Sequence, residues 1–342
     1  MKKIRFGVGL FPTQSPKEMV ELARLAEDLG FDNVWVGDSQ MIWREAYVNF
    51  GAIGASTRRV VLGNGVTNPI TRNMAVTASA MLTLSELTGG RAVLGIGTGD
   101  SSLETLGLKP AKLAELEAKV RQFRGLVAGE EVELETGFKS HITWATKGQH
   151  LPVYVAASGP KILKLSGKIA DGTIVLTGVD PDYLGAALDT IAQGAEEAGR
   201  TLQWDIPTAQ GGFEAVCWTP CSLNEDGTAA RNAVKAHVSR VLKRPLPFEL
   251  TEEDKAVQKE IYAHYDYFEH MVAGTGHGSL VPDAMVEKFA IAGTPDEARE
   301  QVKRLMQTNR LGQIAIIPHT INPADRAKVI KTFAEEVIHK VQ

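Results

Sequence analysis

Five short stretches of this chain carry side chains able to do chemistry, and each follows directly on an apolar run. Asp38 follows "NVWVG", and Gly65, Val66, Thr67 and Asn68 follow "VVLGN". Gly97, Thr98, Gly99 and Asp100 follow "AVLGI", Ala157, Ser158, Gly159, Pro160 and Lys161 close "VYVAASGPK", and Thr177 follows "GTIVL". Pro160 suits the first position of a helix, so Ser158 and Gly159 fall at a helix start. Unpaired backbone N–H groups and the helix dipole favour an anion such as phosphate there, and Lys161 adds a charge. "GIGTGDSS" permits the same close approach of backbone to ligand, although G-x-G-x-G is not the dinucleotide pattern G-x-G-x-x-G. Asp38 and Asp100 are the carboxylates available for proton transfer; an aspartate at such a place can equally cap the helix that follows.

Those stretches act together only if the fold brings them to one rim. "IRFGVGL" is β-rich, and "SPKEMVELARLAEDLG" follows as a helix, capped by Ser15 with Glu18 at the capping-box position, begun by Pro16 and stopped at Gly30. The same alternation repeats along the chain, with strands beginning near residues 4, 33, 60, 92, 152, 172, 213 and 313. Their runs are hydrophobic enough to be covered on both faces. Eight such units predict one α/β domain spanning 1–342, a closed (β/α)8 TIM barrel, with every strand's C-terminal end at one rim. Two segments exceed the repeat. Residues 130–150 contain an inserted strand or hairpin, "EEVELETGFKSHITW". Residues 220–294 form a helical insertion between strands seven and eight, placed to act as a lid or pocket wall, or else as decoration or a dimer contact. Thr294, Pro295 and Glu297 predict a capped penultimate helix. Within the insertion Phe248, Tyr262, Tyr265, Tyr267 and Phe268 recur at helical spacing, which favours core packing over an aromatic pocket.

Composition narrows the function classes. With 342 residues, 44% of them hydrophobic, the chain can bury a large core, and a net charge of -4 does not supply the basic surface of a general nucleic-acid binder. No apolar stretch reaches the length of a membrane span, and "MKKIRFGVGLFPT" lacks the apolar core and cleavage site of a signal peptide, which points to a cytoplasmic protein. Cys217 and Cys221 are the only cysteines, and His264, His270 and His277 do not return to one helix face, so no metal site is expected.

The block "LGNGVTNPITRNMAVTASAMLTLSELTGGRAVLGIGTGDS", residues 62–101, resembles the bacterial-luciferase-like barrel superfamily, in particular its coenzyme F420-dependent methylenetetrahydromethanopterin reductase branch. The similarity runs from residue 4 to about 178, resumes at 290–318, and is weakest across the insertion. It implies a non-prolyl cis peptide at Gly65–Val66, in a bulge that backs a flavin or deazaflavin ring, with Thr67 and Asn68 bonding the ring's polar edge or nearby backbone. From the residues alone, an ordinary strand end with Asn68 opening a turn before Pro69 serves as well. The resemblance further places Asp38 near the ring, "GTGDS" along the cofactor and "AASGP" at its phosphate. Asp100 matches a glutamate beside the reaction centre of a sugar-phosphate dehydrogenase branch; Ser39 stands where that branch has histidine, which speaks against a sugar-phosphate substrate.

The implied activity is that of an oxidoreductase using F420 or FMN on a small organic substrate. The leading form is F420-dependent hydride transfer; the alternatives are a reduced-FMN-dependent monooxygenase and a flavin-binding barrel without turnover. Acidic glutamyl groups on F420 call for cations at the pocket mouth, for which Lys243, Arg244 and Lys255 are available, although a solvated surface explains them too. An isomerase or aldolase barrel would require a lysine or glutamate at a strand end, and these strand ends have none. Barrels of this kind pair through their early helices, so a homodimer or larger homo-oligomer is expected.

Overall fold

A computed structural model describes residues 4–265, 274, 276–322 and 325–341. Tyr267, Phe268 and His270 lie outside the described residues. The strands are β1 (Arg5–Leu10), β2 (Asn33–Val36), β3 (Val61–Asn64), β4 (Ala92–Ile96), β5 (Val132–Glu133), β6 (Lys139–Ser140), β7 (Val153–Ala157), β8 (Gly172–Val175), β9 (Glu214–Leu223), β10 (Ile291–Gly293) and β11 (Leu311–Pro318). Eight of them pair in parallel in the cyclic order β1-β2-β3-β4-β7-β8-β9-β11, and β11 closes the ring on β1. This is the (β/α)8 barrel expected from the alternation, with each of the eight strands near its predicted start. Strand β10 was not foreseen. The seventh barrel strand, β9, runs on past the barrel to Leu223, and β10 pairs with its far end as Ile291↔Cys221 through Gly293↔Leu223. Three residues are too few to leave a periodic signal.

Helices α1 (Pro16–Asp28), α2 (Ala46–Ser56), α3 (Met74–Thr88), α4 (Ser101–Glu104), α5 (Leu113–Val127), α6 (Pro160–Ile169) and α7 (Pro181–Glu197) cover the first six barrel strands. The stretch between β9 and β10 holds α8 (Gly227–Leu242), α9 (Glu252–His264), α10 (Gly276–Ser279) and α11 (Asp283–Phe289). After them come α12 (Pro295–Met306), α13 (Arg326–Phe333) and α14 (His339–Val341). Capping follows the sequence: both reciprocal bonds of the box form between Ser15 and Glu18 on α1 and between Thr294 and Glu297 on α12. Strands β5 and β6 form a separate two-stranded antiparallel hairpin. Among the described residues no helix is long and apolar enough to cross a membrane.

The main core lies between the strands and the surrounding helices, with Phe6, Val34, Leu62, Leu94, Val153 and Ile314 pointing outward from their strands. A second cluster fills the barrel itself, built on Trp35, Tyr154, Val216 and Trp218. These indoles explain the glycines of β3. A Cβ on Gly63 would stand 2.5 Å from the Trp35 ring, and one on Gly65 2.5 Å from the Trp218 ring. Beneath them polar groups close the barrel's N-terminal end: Tyr154 donates to Glu214 at 2.9 Å, Arg5 Nε to Glu214 at 2.8 Å, and Trp35 Nε1 to Gln313 at 2.8 Å. The insertion has a core of its own, in which Val234, Val238, Val241 and Leu242 of α8 pack against Met285, Val286 and Phe289.

Candidate active site

The C-terminal rim opens into a cavity of about 720 Å³, within the range of cofactor and ligand sites. Of the residues expected to line it, Asp38, Gly65, Val66, Thr67, Asn68, Gly97, Thr98, Gly99, Asp100, Ser158, Gly159, Pro160 and Lys161 do so. Ala157 and Thr177 do not: both are fully buried, and Ala157 belongs to the outer core. Strand residues alternate between faces, which turns Ala156 inward and Ala157 outward.

The peptide bond Gly65–Val66 is cis, as the resemblance implied. The segment after it is tied to the neighbouring strand, since Thr67 N–H donates to the Gly95 carbonyl at 3.0 Å and Gly97 N–H to the Thr67 carbonyl at 2.9 Å. A side chain at Gly95 would run into the Asn64 carbonyl, whereas the position above Gly97 meets nothing closer than 3.4 Å, so the chain there presents bare backbone to the cavity. Thr67 Oγ1 donates to Asp38 at 2.7 Å. Asn68 turns back on its own loop: its carbonyl oxygen accepts from the N–H groups of Ile70 and Thr71, both at 2.9 Å, and its amide nitrogen donates to Ser102 at 3.1 Å. These are the bonds of a turn, and equally the bonds to nearby backbone that the resemblance implied.

The two carboxylates are differently held, and neither caps a helix. Asp38 is buried and accepts from Thr67 and, at 2.6 Å, from Gln40. Burial pushes its carboxyl above the usual range, against the pull of Thr67 and Arg72. Ser39 pairs with Ser101 at 2.9 Å. Asp100 precedes α4 without a side-chain cap bond; its carboxylate instead bridges Arg240 and Arg244, the latter at 2.7 Å.

Those arginines belong to the insertion, Arg240 on α8 and Arg244 just past its end. Across the cavity from the strand ends, His237, Arg240, Lys243 and Arg244 all line it, and positions 237 and 240 share one face of α8. Pro245, just past α8, packs on the turn that starts α6, where a Cβ on Gly159 would lie 3.0 Å from it. That turn has no side-chain cap, so its first N–H groups are available to an anion. Arg244 Nη1 is buried and has no hydrogen-bond partner among the described residues. Lys255 stands apart, paired with Glu252 on α9. Among the described residues, the insertion's aromatic side chains stay out of the cavity. Phe248 stacks on Tyr183 with ring centroids 3.8 Å apart, and Tyr265 lies 4.4 Å from Lys243 Nζ.

Sequence reasoning missed the cavity's apolar walls and its histidine. Phe11 and Trp43 stack in parallel at 4.3 Å on one side, and Trp218 closes the floor behind Gly65. His237 Nδ1 lies 2.8 Å from Nε2 of His319, the residue directly after β11. Burial and the nearby Arg326 push His319 down to about 3, so its ring stays neutral. The signal for this face was present in "HVSRVLKR", whose spacing sets one imidazole and one guanidinium group on a single helical stripe, with a second guanidinium just past the helix end.

The model of the luciferase-like monooxygenase family matches residues 3–310. A 5,10-methylenetetrahydromethanopterin reductase of Methanolobus tindarius is 30% identical, over 97% of this chain and 99% of its own. An F420-dependent glucose-6-phosphate dehydrogenase of Microbacterium testaceum is 35% identical, over 99% and 98%. Among solved structures, that of the coenzyme F420 dependent tetrahydromethanopterin reductase from Methanopyrus kandleri superposes with a TM-score of 0.78 at 26% identity, covering 99% of this chain and 100% of that one.

Proposed function

Because the chain belongs to the luciferase-like monooxygenase family, we propose that it is an F420-dependent oxidoreductase, moving a hydride between the cofactor and a small organic substrate. A relative and a solved structure named as F420-dependent align over nearly the whole chain. The observation that carries the choice of F420 over FMN is the charge at one end of the cavity. Lys161, Arg240, Lys243 and Arg244, four cations, face two carboxylates, Asp100 and Glu104, beside the uncapped start of α6. One phosphate needs less; a phosphate followed by glutamyl carboxylates matches it.

The residues present fit such a cofactor. Ser158, Gly159 and Lys161 would receive its phosphate, Arg244 with its unpaired Nη1 the acidic tail, and the backbone from Gly65 to Thr67 with Gly97 the flat ring. When bound, F420 supplies a carbon that gives or takes hydride, chemistry no side chain provides. Asp38 fixes Thr67 and so the edge of the ring bed, while Asp100 orients the two arginines. Phe11 and Trp43 make one wall of the chamber apolar and Trp218 backs the bed, which keeps water from the reacting carbon. The chain is one barrel domain whose insertion supplies the pocket's far wall. We further infer a homodimer through α2 and α3, where Val48, Val76 and Leu87 stand more than half exposed. A cytoplasmic location suits Cys217 and Cys221 as buried free thiols.

Absorbance titration with F420, FMN and reduced FMN tests the reading, followed by turnover with glucose 6-phosphate, methylenetetrahydromethanopterin and small secondary alcohols and aldehydes. F420 should bind more tightly than FMN, with an affinity that falls as salt rises. Tighter binding of FMN, with oxygen consumption, would replace the proposal with the monooxygenase alternative. Light scattering decides the dimer.

A further inference from the structure

The apolar wall of the chamber is carried by two loops. Phe11 directly follows β1 and Trp43 lies between β2 and α2, yet their rings stack 4.3 Å apart with 6° between their planes. Side chains on loops keep one geometry only where other contacts fasten them. Strand β2 leaves the room, since a Cβ on Gly37, just past its end, would stand 2.6 Å from the Phe11 ring and 2.7 Å from that of Trp43. Arg44 ties the two loops together: its N–H donates to the Pro12 carbonyl at 3.0 Å and its Nη1 to the Thr13 carbonyl at 2.5 Å. A further tie comes from the far end of the chain. Arg326 opens α13, and its Nη1 donates to the Phe11 carbonyl at 3.2 Å, to Thr13 Oγ1 at 2.8 Å and to Gln14 Oε1 at 3.4 Å.

Nothing local calls for an arginine at that position. A cation at the start of a helix stands against the helix dipole. Burial lowers the hold of Arg326 on its proton, although a guanidinium stays charged, and no carboxylate pairs with it among the described residues. A cation buried in this way is held by the carbonyl and hydroxyl oxygens around it. Those oxygens belong to one turn: the Phe11 carbonyl also accepts from Thr13 N–H at 2.7 Å, closing three residues on themselves, and Arg326 grips both ends.

We propose that Arg326 is a positioning residue for the substrate: it grips the turn after β1 and so fixes the Phe11–Trp43 wall, against which the substrate's apolar body is held over the ring. The proposal rests on the hydride-transfer reading. Hydride passes between carbons about 3 to 3.5 Å apart. The bed from Gly65 to Thr67 fixes the carbon on the cofactor, and the wall fixes the other through a part of the substrate that does not react. Contacts of that kind are equal before and during the reaction, so their loss raises KM and leaves kcat nearly unchanged. Arg326 also keeps the His319 ring neutral, and two substitutions separate the effects. Lysine keeps the charge but is a point donor that does not span Phe11 and Thr13. Glutamine removes the charge as well.

The first measurement needs no cofactor. In indole N–H NMR spectra of the full-length protein the Trp43 signal, assigned with Trp43→Phe, should move in both Arg326→Lys and Arg326→Gln. The signal of Trp204, packed on Phe213 ahead of β9, should stay in place. Thr13→Val removes the closest acceptor and leaves α13 intact, so it should move Trp43 in the same way and decides alone if the Arg326 variants do not fold. An unmoved Trp43, or a Trp204 that moves as far, overturns the proposal. With F420 and the fastest substrate of the panel, both Arg326 variants should raise KM about tenfold or more, with kcat and F420 affinity within about threefold. A KM within about threefold of native in both, or a rise in Arg326→Gln alone, which would trace the effect to charge near His319, also overturns it. Should neither F420 nor FMN bind the native protein, the hydride reading fails, and the spectra still decide whether Arg326 sets the wall.

Discussion

Replacing Asp100 with asparagine separates the two roles a rim carboxylate can have. In the structure this carboxylate joins Arg240 and Arg244, whose side chains are 7% and 19% exposed, and is itself 29% exposed. Removing one partner of a fully buried ion pair costs about 3 to 5 kcal/mol, because the other charge is stranded. Partial exposure of Asp100 screens the pair, and asparagine keeps one oxygen that accepts from one guanidinium. Both effects reduce the loss to about 2 kcal/mol. For a chain of this size that corresponds to a fall of roughly 3 °C in Tm. Neutralising Arg244 as well, in Asp100→Asn/Arg244→Met, should return part of it, since the stranded cation is then gone. Thermal and urea melts give the stability, absorbance titration the cofactor affinity, and steady-state assay the turnover of the loaded enzyme. With Asp100 acting as a positioning residue, kcat should stay within about threefold. A loss of about a hundredfold in kcat, with Tm and F420 affinity untouched, would make Asp100 the proton-transfer group and refute the reasoning.

Gly65→Ala should weaken F420 binding about tenfold and cost about 1 to 3 kcal/mol, because its Cβ would stand 2.5 Å from the Trp218 ring and push it into the cavity; Trp218→Phe in the same chain should recover part of both, as titration and melts would reveal. Cys217 and Cys221 are buried, and burial raises Cys217 to about 12 and Cys221 also upward, so a thiol reagent at mildly alkaline pH should label neither until denaturant is added. Glu27 is drawn up by burial, but N–H groups of Val60, Arg59 and Arg58 outweigh that and hold its carboxyl below the usual range. Its contribution is therefore present above the ordinary glutamate pKa and lost as pH falls through the folded one; Glu27→Gln should cost about 1 to 2 kcal/mol in neutral urea melts, and a gap that does not narrow in acid would contradict this.

The barrel was legible because its signals are repeated and local. Each strand is a short apolar run and each helix carries a periodic stripe, so eight units could be counted without knowing any contact. The rim residues were legible for the same reason, since a polar residue directly after an apolar strand has only one end of a barrel to occupy. What was not legible depended on pairing across long separations. Gly65 reads as part of the segment that leaves β3, yet its neighbour is Trp218, about 150 residues further on. Asp100 looked free to act as an acid because its partners lie about 140 residues further on, in the segment where the family resemblance is weakest. Lys243, Arg244 and Lys255 looked alike as surface cations, but the first two follow the end of α8 and line the cavity, while α9 keeps the third paired outside it.

The division between barrel and insertion also indicates where specificity resides. The strands supply what any flat cofactor with a phosphate requires: bare backbone from Gly65 to Thr67 and at Gly97, and amide donors at the start of α6. None of these contacts depends on a particular side chain, so they discriminate weakly between substrates. The groups that can discriminate, the imidazole of His237 and the guanidinium of Arg240 on α8 and that of Arg244 just past it, are bonded by Asp100 and His319 at the strand ends. Substitutions on the α8 stripe should therefore change which substrate is used while leaving the barrel's stability nearly intact. Substitutions at its two anchors should disturb several substrates together, because they release the wall and not a single contact. A panel of α8 variants in which every substrate lost rate in the same proportion would mean that the wall acts as one rigid body, and that selection is made by the strands after all.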